Sequence, residues 1–307
     1  MSPSDDTTTL TGKPPTETPD SATSTLDDEQ LANKTKVLSL QEHAPQSGPV
    51  SYSSEEIEAF EEVYRILVEQ HNIDKERIGL RPLALTTIVS KLRPEEAAEK
   101  YSKFLQALDL VGVSSLASAD TLEHLGDETV GKHLAMSYAP CGVDSHGRSI
   151  MWIRGSELIE EEMVQTAHAG ILYWMAIHAD SLSIHEGITF VIDTSTRKSL
   201  GKHPKDKVMQ RLNQSYPLRP QSITICGANF AMRIVINSLI KIASVFAKAK
   251  VLNRIKFATV EQAFESVPEE SGPTYLGGGG GGIEDVTSWV RMRLEALPVP
   301  ELNNVQK

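Results

Sequence analysis

The spacing of apolar and polar residues changes near residue 131, and the two spacings predict two kinds of structure. Ser53-Ser54-Glu55-Glu56 has the composition of a helix start. The segment IEAFEEVYRILVEQH that follows sets Ile57, Phe60, Val63, Tyr64, Leu67 and Val68 on one stripe. More helices are expected over residues 82–110, one opened by Pro94 and carrying Ala97, Ala98, Tyr101, Phe104, Leu105 and Leu108 inward. Beyond residue 131, short runs rich in β-branched residues alternate with helical stretches. VDSHGRSIMWIRG gives a turn at Asp144 to Gly147 and a strand over 149–153; ELIEEEMVQTAHAGILYWMAIHAD reads as a helix and GITFVIDTS as a buried strand. A polar helix around Lys205 to Gln214 follows, then the strand SITICG, a long helix from about 231 to 250, the strand RIKFA and the helix VEQAFESV. Such alternation predicts an α/β layer fold with a mainly parallel sheet.

Composition divides the chain further. Residues 1–50 hold eight acidic and three basic side chains and no aromatic residue, the makeup of a disordered acidic tail. The expected order is then a helical subdomain over 51–130, the α/β domain over 131–285, and a C-terminal helix and tail over 286–307. The formal net charge of -11 argues against nucleic-acid binding. Cys141 and Cys226 stand far apart, suggesting free buried thiols in a reducing compartment. Neither a secretory signal nor an uncharged apolar run of spanning length is present, so a cytoplasmic monomer is expected.

The six glycines Gly277–Gly282 satisfy G-x-G-x-x-G trivially. No second strand with an acidic ribose ligand can follow before Lys307, and Ile283 and Glu284 stand where a phosphate loop needs Lys and Ser or Thr. A flexible loop is the expectation. Enzyme motifs are equally thin: no HExxH occurs among nine histidines, and no GxSxG elbow. Cys226 with Arg233 has the outline of a thiol phosphatase loop, but bulky Phe230 and Met232 fill the cradle. Asp193 and Arg197 stand near a strand end, where an α/β active site would lie, and are read in preference as a surface ion pair. The chain is not expected to be an enzyme, and no cofactor or metal is expected.

The segment NFAMRIVINSLIKIASVFAKAK carries more information. On a helix its polar positions Arg233, Asn237, Lys241, Ser244 and Lys248 fall within a stripe about 80° wide, and nearly everything else is apolar. Its cations, with Lys250, Arg254 and Lys256, form a basic cluster without an acidic residue in an acidic chain and suit an anionic membrane surface.

The order of features resembles the CRAL-TRIO lipid-binding domain, the family of phosphatidylinositol-transfer proteins and of tocopherol- and retinaldehyde-binding proteins. Tyr216-Pro217 precedes a strand, Cys226-Gly227-Ala228-Asn229-Phe230 leads into the long apolar helix, Arg254-Ile255 begins the last strand, and VPEESGPTYLGG closes the series. The resemblance covers about residues 55–285. It implies a helical subdomain followed by a sheet with an apolar cavity beneath a mobile gate helix. It further implies that a phospholipid or other small hydrophobic ligand is held there and exchanged at membranes, the protein acting peripherally. The implied cavity lining is Trp152, Leu172, Met175, Ile188, Phe190, Ile192, Ile225, Phe230, Ile236, Leu239, Ile240 and Phe246. The implied headgroup or membrane contacts are Arg233, Lys241, Lys248, Arg254 and Lys207. Departures occur at the polar positions. Lys207 stands where phosphatidylinositol-transferring members carry a Glu, Arg254 replaces a Lys, and Ile188 and Phe190 occupy the strand that offers hydroxyls to phosphatidylcholine. The alternative within the same fold is a ligand-free scaffold for a protein partner in signalling or trafficking.

Overall fold

The computed structural model describes residues 48–119, 122–155, 158–195, 204–228, 254–265 and 267–303. Helix α1 (Ser54–Glu69) begins with a reciprocal cap: Ser53 Oγ accepts the Glu56 N–H, and the Glu56 carboxylate accepts the Ser53 N–H at 2.7 Å. The predicted stripe of α1 is the side that packs, with Phe60, Val63, Ile66 and Leu67 buried. Helix α2 (Leu80–Val89) is buried along most of its length. Two threonines are tolerated there because Thr86 and Thr87 donate to the carbonyls of Pro82 and Leu83. Helix α3 (Pro94–Asp109) starts at its proline and buries Ala97, Ala98, Tyr101, Phe104, Leu105 and Leu108. Helix α4 (Glu128–Ser137) then leads into the sheet.

The sheet has the order β1-β2-β3-β4-β5, with β1 (Tyr138–Ala139) antiparallel to β2 (Ile150–Arg154) and every later pair parallel. Strand β3 is Ile188–Asp193, β4 is Pro220–Cys226 and β5 is Ile255–Ala258. The mainly parallel α/β layer expected from the sequence is the observed one. Helix α5 (Met163–Ile177) and the short α6 (Ser181–Glu186) connect β2 to β3, and α7 (Pro204–Ser215) lies between β3 and β4. Helix α8 is Val260–Glu265, and α9 is Val286–Ala296.

Successive side chains on a strand point to opposite faces, so the register sorts the sheet into two surfaces. One face carries Met151, Ile153, Ile188, Phe190, Ile192, Ile223, Ile225, Ile255 and Phe257. Met151 and Ile188 share a core with Leu172 and Met175 of α5 and with Met209 and Leu212 of α7, so both helices cover this face. The far face carries Ile150, Trp152, Arg154, Thr189, Val191, Asp193, Thr224 and Cys226, and packs against Ala263 of α8 and Val267.

Tyr216, just after α7, fills the junction between helical subdomain and layer. Its ring lies 5.1 Å from Phe104 of α3 and 6.0 Å from Trp174 of α5, and Phe104 meets Trp174 edge-on at 5.4 Å. A second junction is ionic. Arg293 of α9 bonds Asp180 at 2.6 Å with both side chains buried, and donates as well to the Ala176 carbonyl and to Ser149 Oγ. Ser149 in turn bonds Asp180, and the Ser183 N–H caps the same carboxylate. Burial alone would raise the Asp180 pKa; Arg293 and Ser183 hold it below the ordinary carboxylate value instead. The segment after α9 closes on the first described helices: Tyr52 donates to the Pro298 carbonyl, Arg81 to that of Leu297, and Asn303 N–H to Glu61.

Two outcomes are expected. Arg293→Met leaves the Asp180 charge buried and unpaired, and should lower unfolding free energy by about 3–5 kcal/mol, while Asp180→Asn with Arg293→Met recovers part of the loss. Urea titration at pH 7 measures both. The second concerns His178, whose enclosed ring donates through Nδ1 to the Trp174 carbonyl and whose pKa burial brings down to about 4. The unfolded chain binds that proton near pH 6.5 and the folded one only near 4, so stability should fall across that window, by about 3 kcal/mol for this group. His168, depressed to about 4 by burial and by His124, acts in the same direction. The stability that Asp180 contributes is lost lower, as pH falls through its reduced pKa. Urea midpoints between pH 7 and 4 should show the slope, and His178→Gln should flatten it.

Candidate functional site

The helix-covered face is not uniformly closed. Beneath α5 it is sealed, Met151 and Ile188 being buried. Toward β5 it carries a separate apolar cluster in which Ile225 and Ala228 are buried, while Ile192, Ile223, Ile255 and Phe257 remain half-buried. Large hydrocarbon side chains gathered on one sheet face and left partly accessible mark a surface for an apolar ligand or partner. Among the described residues from Ile223 onward, β4 and β5 send no hydroxyl or charge to this face. Thr224, Cys226 and Lys256 point to the other. Gln221 sits where the β3–β4 register shifts and turns its amide to the Glu186 carbonyl.

The far face is polar at the C-terminal ends of the strands and is closed by the segment that contains the glycine run. Tyr275 Oη donates to Asp193 and accepts from Trp152 Nε1 at 2.9 Å, and the Arg154 guanidinium lies 4.5 Å over its ring. Burial and the Asp193 carboxylate both push the Tyr275 phenol well above its ordinary pKa. The Ser195 N–H completes the Asp193 shell. Asp193, expected as half of a surface pair, is therefore a buried residue at 1% exposure; Arg197 lies outside the described residues. Beside it the Cys226 thiol is pushed up to about 12 by burial and by Asp193, so it is protonated at neutral pH and offers no nucleophile.

The glycine run is packed, contrary to the expectation of a flexible loop. A 3-10 turn at Thr274–Leu276 precedes it, a second spans Gly280–Gly282, and the Gly280 N–H donates to the Gly272 carbonyl. At Gly281, φ is +63°, and a Cβ would stand 2.4 Å from the Gly142 Cα. Two backbones touch here, and only glycine on both sides allows it. The signal was available as the run itself, but its reason lies in residue 142, far away in sequence.

The expected site residues separate into three groups. Ile192 and Ile225 meet in the half-open cluster, joined by Ile223, Ile255 and Phe257, which sequence reasoning passed over. Leu172, Met175 and Ile188 are enclosed in the main core, with Phe190 packed at its margin. Trp152, read as lining the same cavity, stands on the far face with Val191 and is bound to Tyr275. Of the expected cations, Lys207 is exposed on α7. Arg254 is at the opposite end of the layer, where its guanidinium donates to the Pro220 carbonyl. Its neighbour there is Arg219, which bonds the His185 carbonyl and whose pKa is lowered by burial and by Arg254. Phe230, Arg233, Ile236, Leu239, Ile240, Lys241, Phe246 and Lys248 lie outside the described residues.

Fold and surface together define an α/β layer protein with a helical subdomain and a half-open hydrocarbon floor. The CRAL/TRIO domain matches residues 137–278, and the chain carries a domain of that family. That domain assigns it to the binding of a lipid or another small hydrophobic ligand. No curated protein matches the chain significantly. No helix among the described residues is long and apolar enough to cross a membrane.

The closure of the far face is open to test. Gly281→Ala must add a Cβ against Gly142 at a positive φ, and should cost about 2–4 kcal/mol in thermal or urea unfolding. Tyr275→Phe strips Asp193 and Trp152 Nε1 of a shared partner, with an expected loss of about 1–3 kcal/mol and little change in fold by circular dichroism.

Proposed function

We propose that this chain is a non-catalytic carrier that takes a lipid or small hydrophobic ligand against the β3–β5 floor and exchanges it at membrane surfaces. The observation that carries the reading is the half-buried cluster of Ile192, Ile223, Ile255 and Phe257 within a CRAL/TRIO domain. Leaving such side chains in contact with water forfeits about 25 cal/mol for each Å² of apolar surface, and a bound hydrocarbon recovers it. A pocket as apolar as the bilayer interior also makes exchange nearly isoenergetic. One sixteen-carbon chain otherwise costs on the order of 12 kcal/mol to carry through water.

The apolar sequence from Phe230 to Lys250, outside the described residues, carries charges suited to a membrane surface. Its cations Arg233, Lys241 and Lys248, with Arg254, meet anionic headgroups as a peripheral contact from the cytoplasmic side, each worth about 1 kcal/mol. The chemistry asked of the protein is burial and release, and the protonated Cys226 thiol fits that role.

The test is extraction of the purified full chain followed by lipid analysis, with native mass spectrometry for stoichiometry. A lipid at about one per chain is expected. An empty, well-folded protein that acquires none from vesicles would reject the carrier and favour a scaffold that binds a protein partner. Lys241→Glu, Lys248→Glu and Arg254→Glu together should weaken binding to anionic vesicles by about tenfold or more at low salt; unchanged binding would remove the membrane role from these cations.

A further inference from the structure

We infer that Glu56 and His185 form a proton-dependent latch between the helical subdomain and the end of the sheet where β3 and β4 begin, closed while the His185 ring carries both protons and released when it loses one. Near the end of the short α6, each ring nitrogen of His185 lies 2.8 Å from an oxygen: Nδ1 from the Ser181 carbonyl, and Nε2 from Oε1 of Glu56 on α1. Neither oxygen brings a proton of its own. A carbonyl and an ionised carboxylate only accept, so both bonds exist together only when both nitrogens donate, which is the imidazolium form. The neutral ring keeps one bond and turns a lone pair toward the other oxygen.

Glu56 is held ionised by the helix cap it completes. Its Oε2 accepts from the Ser53 N–H at 2.7 Å and from the Ser53 hydroxyl at 2.9 Å. Burial alone would raise its pKa, but Ser53 and His185 hold it below the ordinary carboxylate value. The Glu56 side chain is 10% exposed, whereas that of His185 is 41% exposed and can take up or release a proton without unfolding. His168 and His178 differ in this respect, since burial keeps them neutral down to about pH 4.

The end of α6 is fastened to the layer as well. Arg219 donates to the His185 carbonyl and the Gln221 amide to that of Glu186, while the Ile188 N–H donates to the Arg219 carbonyl. A bond from Glu56 to the ring thus links the first turn of α1, through α6, to the first residues of β3 and β4. The other charged groups around α6 have partners. Asp180 is paired with Arg293, and Arg254, beside Arg219, donates to the Pro220 carbonyl. Arg81 of α2, which packs on α6, donates to the Leu297 carbonyl; in the turn before β2, Arg148 bonds Asp144 and contacts His146. Glu186 favours the charge of Arg219. The sign of the pH dependence follows. The latch is lost as pH rises through the range of about 5 to 8 in which histidine side chains give up a proton, and at the acid end as pH falls through the lowered Glu56 pKa.

The experiment is NMR of the ring nitrogens in the full chain with isotope-labelled histidine, together with amide hydrogen exchange expressed as protection factors. At about pH 6 both His185 nitrogens should carry a proton; at about pH 8 one is lost, and protection over α6 and the start of β3 falls about fivefold or more. Loss of the assigned signal in His185→Gln identifies the ring, and this variant should show the released level of protection at both pH values. Glu56→Gln keeps an oxygen for Ser53 and offers an amide donor to a neutral ring, so the pH dependence should vanish with α1 intact. A single ring proton on His185 at about pH 6 would overturn the inference without any variant having to fold. So would an equal pH-dependent fall in protection in His185→Gln.

Discussion

The side on which the strand connections cross governs the rest of this molecule. The β2–β3 connection through α5 packs on the same sheet face as α7, which lies between β3 and β4, and parallel connections of one hand leave little choice about this. The face that receives α5 and α7 is built from hydrocarbon along its strands, while the face that receives α8 and the glycine segment among the described residues can hold Thr189, Asp193, Arg154 and Cys226. Segregation of the two surfaces is thus a packing requirement first. The apolar floor proposed as the ligand site is a by-product of it. Where α5 covers that face it is core, and toward β5 Ile192, Ile223, Ile255 and Phe257 are half-buried.

The segment matched by the family does not complete its own core. Residues 137–278 contribute the sheet, α5 and α7, but the outer side of α5 is closed by Phe104 of α3 and by Trp289, Val290 and Leu294 of α9. Asp180, inside the segment, is neutralised by Arg293, outside it. A buried ion pair adds little net stability compared with hydrocarbon of the same volume, yet it severely penalises any arrangement in which the partners are apart. Its effect here is to fix where α9 docks. Tyr52, Arg81 and Asn303 then fasten the two ends of the described chain to each other over α1 and α2. The helical subdomain and the C-terminal helix are consequently structural parts of the lipid-binding layer.

Much of this was legible in the sequence where one periodicity dominated. The stripe of α1, the proline start of α3 and the β-branched runs of β3 and β4 all became the elements they suggest. The faces of the sheet were harder. Ile150, Met151, Trp152 and Ile153 form an unbroken apolar run because a parallel strand is buried on both sides, so nothing local tells which residues share a surface. Trp152 was grouped with Ile188 for that reason, and only the pairing of Trp152 with Val191 separates them. Arg293 resembles Arg291 on the same polar-looking helix, and its burial is decided by Asp180, more than a hundred residues away. The glycine run misled in the same way, its requirement being set by Gly142.

The contrast between the two faces also bears on how a ligand could enter. On the far face, Tyr275, Asp193, Trp152 and Arg154 lock the segment 268–282 through bonds that are lost together if it lifts, and Gly281 sits against Gly142 with no spare volume. Displacing that segment would strand a buried carboxylate and an indole N–H, each a desolvation cost of about 1–3 kcal/mol or more. The half-open side has no comparable lock among the described residues, since Ile192, Ile223, Ile255 and Phe257 make only non-directional contacts. Such contacts are lost gradually, and a hydrocarbon ligand replaces them in kind. For the proposed carrier, the contacts made by the described residues therefore favour the side of β5 as the place that yields to a ligand and the far face as the part that stays fixed.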